Sequence, residues 1–294
     1  MPEALHRLLF GVIDYAGLFP PAQHSMRQAV AEFARHLRTP GEAWVMDKFV
    51  CPATRLPELA AELEALGGDE EFGVAVVGSF AGTEFAANLD ADRRLMDAFD
   101  QRLEGRVCVA GYESKGPDDL KAALGALRPL GNLDVFIEVP MGPTCADKLH
   151  LLAQTEGVGA KGRTGGLTEE AFPSVEDLAG FLHECYALEL DHKLTAGLHH
   201  PFRRAPMHGF LNVLVGAALL VDLDLTRAQL ARVLASETAS EFHIEADRVG
   251  WQDLHAGLEA IEEMRGALGS YGSCSVSEPL EDLAALGLLG EVVR

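Results

Sequence analysis

The sequence predicts a single closed α/β barrel of eight parallel strands, and three observations carry that expectation. Short apolar runs alternate with segments of helical periodicity along the whole chain. The runs are nearly continuous rather than polar at every second position, as in strands whose outer face is covered by helices. No Gly/Ser/Pro linker or low-complexity tract divides the 294 residues, so 1–294 reads as one barrel domain with an insertion at about 202–268.

The first strand is LFGVIDY, which ends in the breaker set GLFPP and puts Asp14 near its loop end. The helix SMRQAVAEFARHL follows, with Met26, Val30, Phe33, Ala34 and Leu37 at helical spacing after a Ser25 cap. AWVMDKFVCP is the second strand. Its adjacent Asp47 and Lys48 must point opposite ways, so at most one is a mouth residue, and Asp47 is placed inward. LPELAAELEALGG is a helix stopped by glycines. The alternation continues through EFGVAVVGSF, the helix TEFAANLDADRRLMDAFDQRLEG, RVCVAGYES, the helix GPDDLKAALGALRPLG, LDVFIEVP and the helix TCADKLHLLAQTEG. VGAKGRTGG and HKLTAG supply strands six and seven around the helix FPSVEDLAGFLHECYALEL, and GSYGSCSV is the eighth. Within the insertion, HGFLNVLVGAALL and LTRAQLARVLAS read as helices, FHIEADRVGW as a small hairpin, and WQDLHAGLEAIEEMRGAL as another helix. EPLEDLAALGLL closes the chain as a helix.

Composition narrows the function. A formal net charge of −21 argues against nucleic acid or an anionic membrane surface as partner. No stretch is long and apolar enough for a membrane span; the nearest, 210–225, carries Asn212, Asp222 and Asp224. The start has no clear cleavage site, so the expectation is a cytoplasmic protein. Five cysteines without ligand spacing predict neither a disulfide framework nor a zinc site. No dinucleotide or Walker fingerprint is present, and neither a cofactor nor a resident metal is expected. Against the acidic background, Lys161, Arg163, Lys193, Arg203 and Arg204 concentrate positive charge in one window, which suits a small anionic or phosphorylated metabolite; self-association as a homo-oligomer stays open.

In a closed barrel the loops after the strands form the active face. Period-two counting puts Lys161 and Arg163 on one side of their strand, and Lys193, Thr195 and Gly197 on one side of theirs. If those sides face inward, two amines meet. A lysine beside a second cation loses proton affinity, and a neutral lysine is the nucleophile for a Schiff base. The alternative, that one lysine clamps an anion and the other is a strand-end charge, stays open. Glu138 lies inside the apolar strand VFIEVP, where a carboxylate must be paired, metal-bound or neutral. His199 and His200 cannot face one point in an extended chain, and His208 with Asn212 reads as a satisfied core pair. Ser273 lacks the following glycine of a nucleophile elbow.

The order of these segments resembles the deoxyribose-phosphate aldolases, class I Schiff-base aldolases with a (β/α)8 barrel. VGAKGRTGG is similar to their sixth-strand segment, HKLTAGLHH to their seventh, and GSYGSCSV to the eighth-strand turn that holds substrate phosphate. LFGVIDYAGL and WVMDKFVCPATRLPELA follow the first two repeats. The resemblance implies Lys161 as Schiff-base former, Lys193 as the partner that lowers its pKa, and Gly165, Gly166, Gly197, Gly272 and Ser273 as phosphate contacts. The chain departs from the pattern on the fourth strand, where RVCVAGYES has no acid within the strand and Glu113 at the loop end is the substitute. Arg163, His199 and His200 have no place in the pattern.

The function expected is a Schiff-base lyase acting on a small phosphorylated carbonyl compound. Lys161 forms the iminium, Lys193 tunes it, and Glu138 or Glu113 moves protons. Arg163, Thr164, Thr195 and His199 join the glycine and serine turns in holding the anion, with Asp14 and Asp47 as further mouth residues. Two other readings stay open: a barrel enzyme using a divalent metal on Glu138, Asp47 or His199, or phosphoribosyl transfer; and a non-catalytic protein that binds a metabolite or, through the insertion, a partner.

Overall fold

The computed structural model describes residues 1–79, 84–117, 119–127, 130 and 133–289. The expected strand end at Phe80, the helix start at Thr83 and the helix residues 118, 128, 129 and 131 lie outside the described residues.

The barrel strands are β1 (Ile13–Tyr15), β2 (Met46–Pro52), β3 (Phe72–Val77), β4 (Val107–Lys115), β5 (Asp134–Val139), β6 (Val158–Arg163), β7 (His192–Thr195) and, after a long excursion, β11 (Leu268–Ser273). They close in that order, every pair parallel, with β11 joining β7 to β1. The continuous apolar strands have the reason foreseen. Val74 and Val76 of β3 pack outward in the core, and Ala75 and Val77 between them line cavities inside the barrel.

The helical shell comprises α1 (Glu3–Leu9), α2 (Met26–Arg38), α3 (Leu56–Leu66), α4 (Phe85–Leu103), α5 (Leu120–Leu127), α6 (Cys145–Ala153) and α7 (Val175–Ala187). Ser25 opens α2 through a reciprocal capping box with Gln28, and Ser174 caps α7 by accepting from the Asp177 N–H. Phe33 of α2 packs edge-on against Phe49 of β2 and Phe72 of β3, with ring centroids 5.3 and 4.8 Å apart. This aromatic contact ties the first repeats together.

Three local expectations change. LFGVIDY is not one strand: Leu5, Leu8 and Leu9 are buried on one face of α1, and the chain turns at Gly11, with φ at +56°, before β1 begins. Asp47 and Lys48 do not point opposite ways. Ile13 pairs with Met46 but Tyr15 pairs with Phe49, so β2 carries one extra residue there, and that slip lets both side chains reach the same cavity. β4 extends to Lys115, so Glu113 is a strand residue and not a loop residue.

Between β7 and β11 lie α8 (Phe210–Leu223), α9 (Arg227–Ala235), an antiparallel sheet of β8 (Phe242–Ile244), β9 (Arg248–Trp251) and β10 (Leu254–Gly257), and α10 (Leu258–Ala267). The expected hairpin is present as β8 and β9. A third strand takes the beginning of the segment assigned to a helix, which starts only at Leu258. α8 is buried from Phe210 through Leu220, wedged between α9, α10 and the small sheet. α11 (Ser277–Ala285) is the last helix among the described residues.

Candidate active site

Lys161 and Lys193 stand side by side in the β6–β7 pairing, and Glu138 is the partner of Lys161 across β5–β6. In-register residues of parallel strands share a face, so the three side chains form one row inside the barrel. Glu113 is paired with Phe136, one inward layer below Glu138. Burial is severe: Asp14 is 0%, Lys193 3%, Glu113 4% and Lys161 5% exposed.

Charges this deep need partners, and each has them. Glu113 spans both amines, with Oε2 3.2 Å from Lys161 Nζ and Oε1 2.6 Å from Lys193 Nζ. Lys193 also donates to Asp14 Oδ2 and lies 5.6 Å from the centroid of the Phe136 ring. Asp14 is fixed from two other sides, by the Ser270 hydroxyl at 2.7 Å and the Lys48 backbone N–H at 3.1 Å. Lys161 Nζ is 3.4 Å from Glu138 Oε2, and Arg163 donates to both oxygens of Glu138 at 3.1 Å. Lys161, Lys193 and Arg163 thus face Asp14, Glu113 and Glu138, three charges against three.

The network sets protonation. Burial alone would raise Glu113, but Lys193 and Lys161 outweigh it and pull the carboxyl down to about 2. Glu138 is likewise lowered against its burial by Lys161 and Arg163. Burial would strip the proton from Lys193; Asp14 and Glu113 reverse that and raise its pKa, so it stays an ammonium. Lys161 thus neighbours an ammonium held on two carboxylates, not the bare cation the sequence suggested.

Above this row opens a cavity of about 590 Å³, at the end of the barrel where the strands run into the loops. Glu113, Lys161, Lys193 and Thr195 form its floor, and Arg163, Gly166, Gly197, His199 and Gly272 lie on its walls. Other expected contacts are elsewhere. Thr164 is fully buried and donates to the Thr195 and Ala196 carbonyls, stitching the β6 loop to the β7 loop. Gly165 packs against Gly197, with 2.8 Å left between an added Cβ and the Gly197 Cα. Ser273 is spent in its own turn, donating to the Ser275 carbonyl at 2.7 Å and accepting its N–H at 3.3 Å. Asp14 lies near the loop end of β1 as expected, one residue before Tyr15, but its carboxylate is bonded to Lys193 and does not line the cavity.

Asp47 is at the opposite end of the barrel. It lines a second cavity, of about 270 Å³, with Lys48, Asp134 and Arg265; Glu113 and Lys193 border both spaces. Burial and Asp14 raise the Asp47 pKa, and Lys48 opposes them. His199 pairs with Glu278 at 3.1 Å and His200 with Asp282 at 2.7 Å, both acids on α11. Glu138, Asp47 and His199 therefore do not converge, and among the described residues no three His, Cys, Asp or Glu side chains gather as a metal site. His208 donates from Nε2 to the Pro173 carbonyl, and Asn212 accepts from the Arg203 N–H and donates to the Val233 and Ser236 carbonyls. That pair is structural. Arg203 pairs with Glu237.

Sequence reasoning missed most of the upper wall. Phe19, Pro20 and Pro21 from the β1 loop, Leu167 and Phe172 from the β6 loop, and Met207 make it largely apolar. The breaker set GLFPP marked a loop but carried no sign of what that loop would cover.

No protein-family profile matches the chain, and no curated protein does. Among solved structures it is similar to QR15, an aldolase, at 10% identity and a TM-score of 0.49, over 97% of this chain and 98% of that one. It is similar to the tetrameric deoxyribose phosphate aldolase from Aeropyrum pernix at 14% identity and a TM-score of 0.39, over 97% and 98%. A third similarity is to the HMG-CoA lyase from Brucella melitensis, at 13% identity and a TM-score of 0.36, over 77% and 75%.

Proposed function

We propose that the protein is an enzyme, a Schiff-base lyase that cleaves or forms a carbon–carbon bond in a small carbonyl compound, with Lys161 as the condensing amine. The observation that supports this most is the pair of in-register buried lysines held on the two oxygens of Glu113 beneath an open cavity. Lys193 keeps its proton because Asp14 and Glu113 both stabilise it, which leaves Lys161 to act as nucleophile.

Lys161 lends a proton to Glu138, the amine so freed attacks the carbonyl carbon, a carbinolamine forms, and its hydroxyl leaves as water with the proton returned from Glu138. The iminium carries the same positive charge as the ammonium it replaces. Glu113 and Glu138 therefore keep their partner through the reaction, and their fixed charges stabilise the cation without reorganisation. The iminium accepts the electron pair of the bond broken between the α and β carbons, giving an enamine. Glu138, 3.4 Å from Lys161 Nζ and bonded to Arg163, or Glu113 on the other side, takes the proton released from the substrate hydroxyl.

Reduction with borohydride in the presence of an aldehyde panel, followed by peptide mapping, tests the reading. The expected result is a reduced adduct on Lys161 that disappears in Lys161→Arg. Absence of any adduct on Lys161 across small, apolar and phosphorylated aldehydes would sink it.

A further inference from the structure

We propose that the mouth selects an uncharged carbonyl compound with an apolar, aromatic or branched aliphatic body, and not a phosphorylated one. The proposal deepens the Schiff-base reading and rests on it for the position of the carbonyl, while the nature of the body is argued from the walls. Every cation lining the cavity already has a carboxylate: Lys161 has Glu113 and Glu138, Lys193 has Asp14 and Glu113, and Arg163 is held by both oxygens of Glu138. A phosphate dianion reaching the two lysines would have to draw them from Asp14 and Glu113, which are buried, and a buried carboxylate left without its partner is costly; the more exposed Arg163 is already held by both oxygens of Glu138. His199, on the wall, is turned to Glu278 near the start of α11. That acid stands beside the eighth-strand turn, where a phosphate would need positive charge. Ser273, the hydroxyl expected to serve phosphate, is closed within its turn.

The remaining wall suits an apolar body. Phe19, Phe172 and Met207 line the cavity, and Leu167 at its rim is 77% exposed. A large side chain held this open beside an apolar cavity gains by being covered, and binding cavities commonly combine such walls with a few convergent polar groups. Here the polar groups are at the floor and the apolar ones above it, so a ligand with its carbonyl on Lys161 directs its body into the apolar part.

Two measurements test the class, one without covalent chemistry. In thermal melting of the full chain, 3-phenylpropan-1-ol is expected to raise the melting temperature and glycerol 3-phosphate is not. Leu167→Ser and Phe172→Ser should each reduce the shift by half or more; the exposed Leu167 makes the first a safe variant for folding. In borohydride trapping, 3-phenylpropanal is expected to label Lys161 at least tenfold faster than glyceraldehyde 3-phosphate, with propanal as the small reference. Stronger stabilisation by glycerol 3-phosphate, no shift with the alcohol, or trapping of the phosphorylated aldehyde at an equal or greater rate overturns the proposal. If no aldehyde, propanal included, labels Lys161 while the alcohol still stabilises wild type more than Phe172→Ser, the Schiff-base reading fails and the apolar class stands.

Discussion

Lys161 and Lys193 share one row of the barrel but not the same company, and Glu113 is the residue that makes the difference usable. Replacing it with the neutral isostere in Glu113→Gln leaves two amines with only Asp14 and Glu138 to balance them. Trapping at Lys161 is expected to fall roughly a hundredfold or more, and unfolding in urea to show a loss of about 3 kcal/mol from breaking a buried pair. Unchanged trapping in that variant would remove Glu113 from the mechanism. His192, directly below Lys193 in β7, supplies a pH test. Burial, against a hydrogen bond to the Leu190 carbonyl, lowers its pKa from 6.5 to about 4. The folded protein therefore resists a proton that the unfolded chain accepts, so this stability is full above pH 6.5 and is lost as the pH falls towards 4. The drop is about 3 kcal/mol. Urea titrations between pH 7.5 and 4.5 should show it in the wild type and a flatter profile in His192→Asn. The residue types at the site were legible because lysine and glutamate are conspicuous inside apolar strands. Their heights along the barrel were not, since period-two counting gives the side of a strand but not the level. Asp47 was thus assigned to the mouth when it belongs to the other end.

At the scale of elements, the strands were legible because burial on the outer face demands long apolar runs, and the helices because amphipathic spacing and caps agree. What escaped had weak local signals. α1 has seven residues and no side-chain cap, and its leucines merge in sequence with the apolar start of the strand. β10 has four residues, too few for an alternation to stand out from the helix that follows. The bulge in β2 is a property of the pairing and leaves no mark on one strand alone. The elements also separate stability from site geometry. Thr226 caps α9 through a box with Gln229, neither of which lines the mouth, so Thr226→Ala should cost about 1 kcal/mol in thermal unfolding and leave trapping unchanged. Gly197 has φ at +82°, and a Cβ there would come within 2.7 Å of the Thr164 carbonyl oxygen. Gly197→Ala is expected to cost about 1–3 kcal/mol from the strained backbone and, because it pushes the β6 and β7 loops apart, to slow trapping tenfold or more. Equal trapping in the two variants would show that the loop junction does not shape the mouth.

Across the whole molecule, 45 acidic residues stand against 24 lysines and arginines, and the resulting charge of −21 is not carried by the site, whose three cations and three carboxylates cancel. The excess therefore lies around the barrel, where like charges repel through solvent. Salt acts on the two parts differently. At about 0.1 M the screening length is roughly 10 Å, so repulsion between exposed carboxylates is reduced, as are surface ion pairs worth about 0–1 kcal/mol each. The excess of acids makes relief of repulsion the larger effect. Lys161, Lys193 and Glu113, exposed by only 3–5%, are hardly screened. Raising sodium chloride from about 20 to about 300 mM should therefore raise the melting temperature by a few degrees, while the rate of trapping an uncharged aldehyde at Lys161 stays within about twofold, as expected when screening does not reach a buried network. A melting temperature that falls with salt would mean that ion pairs on the surface outweigh its net repulsion. A trapping rate that tracks salt would mean that the network opens to solvent before the amine reacts.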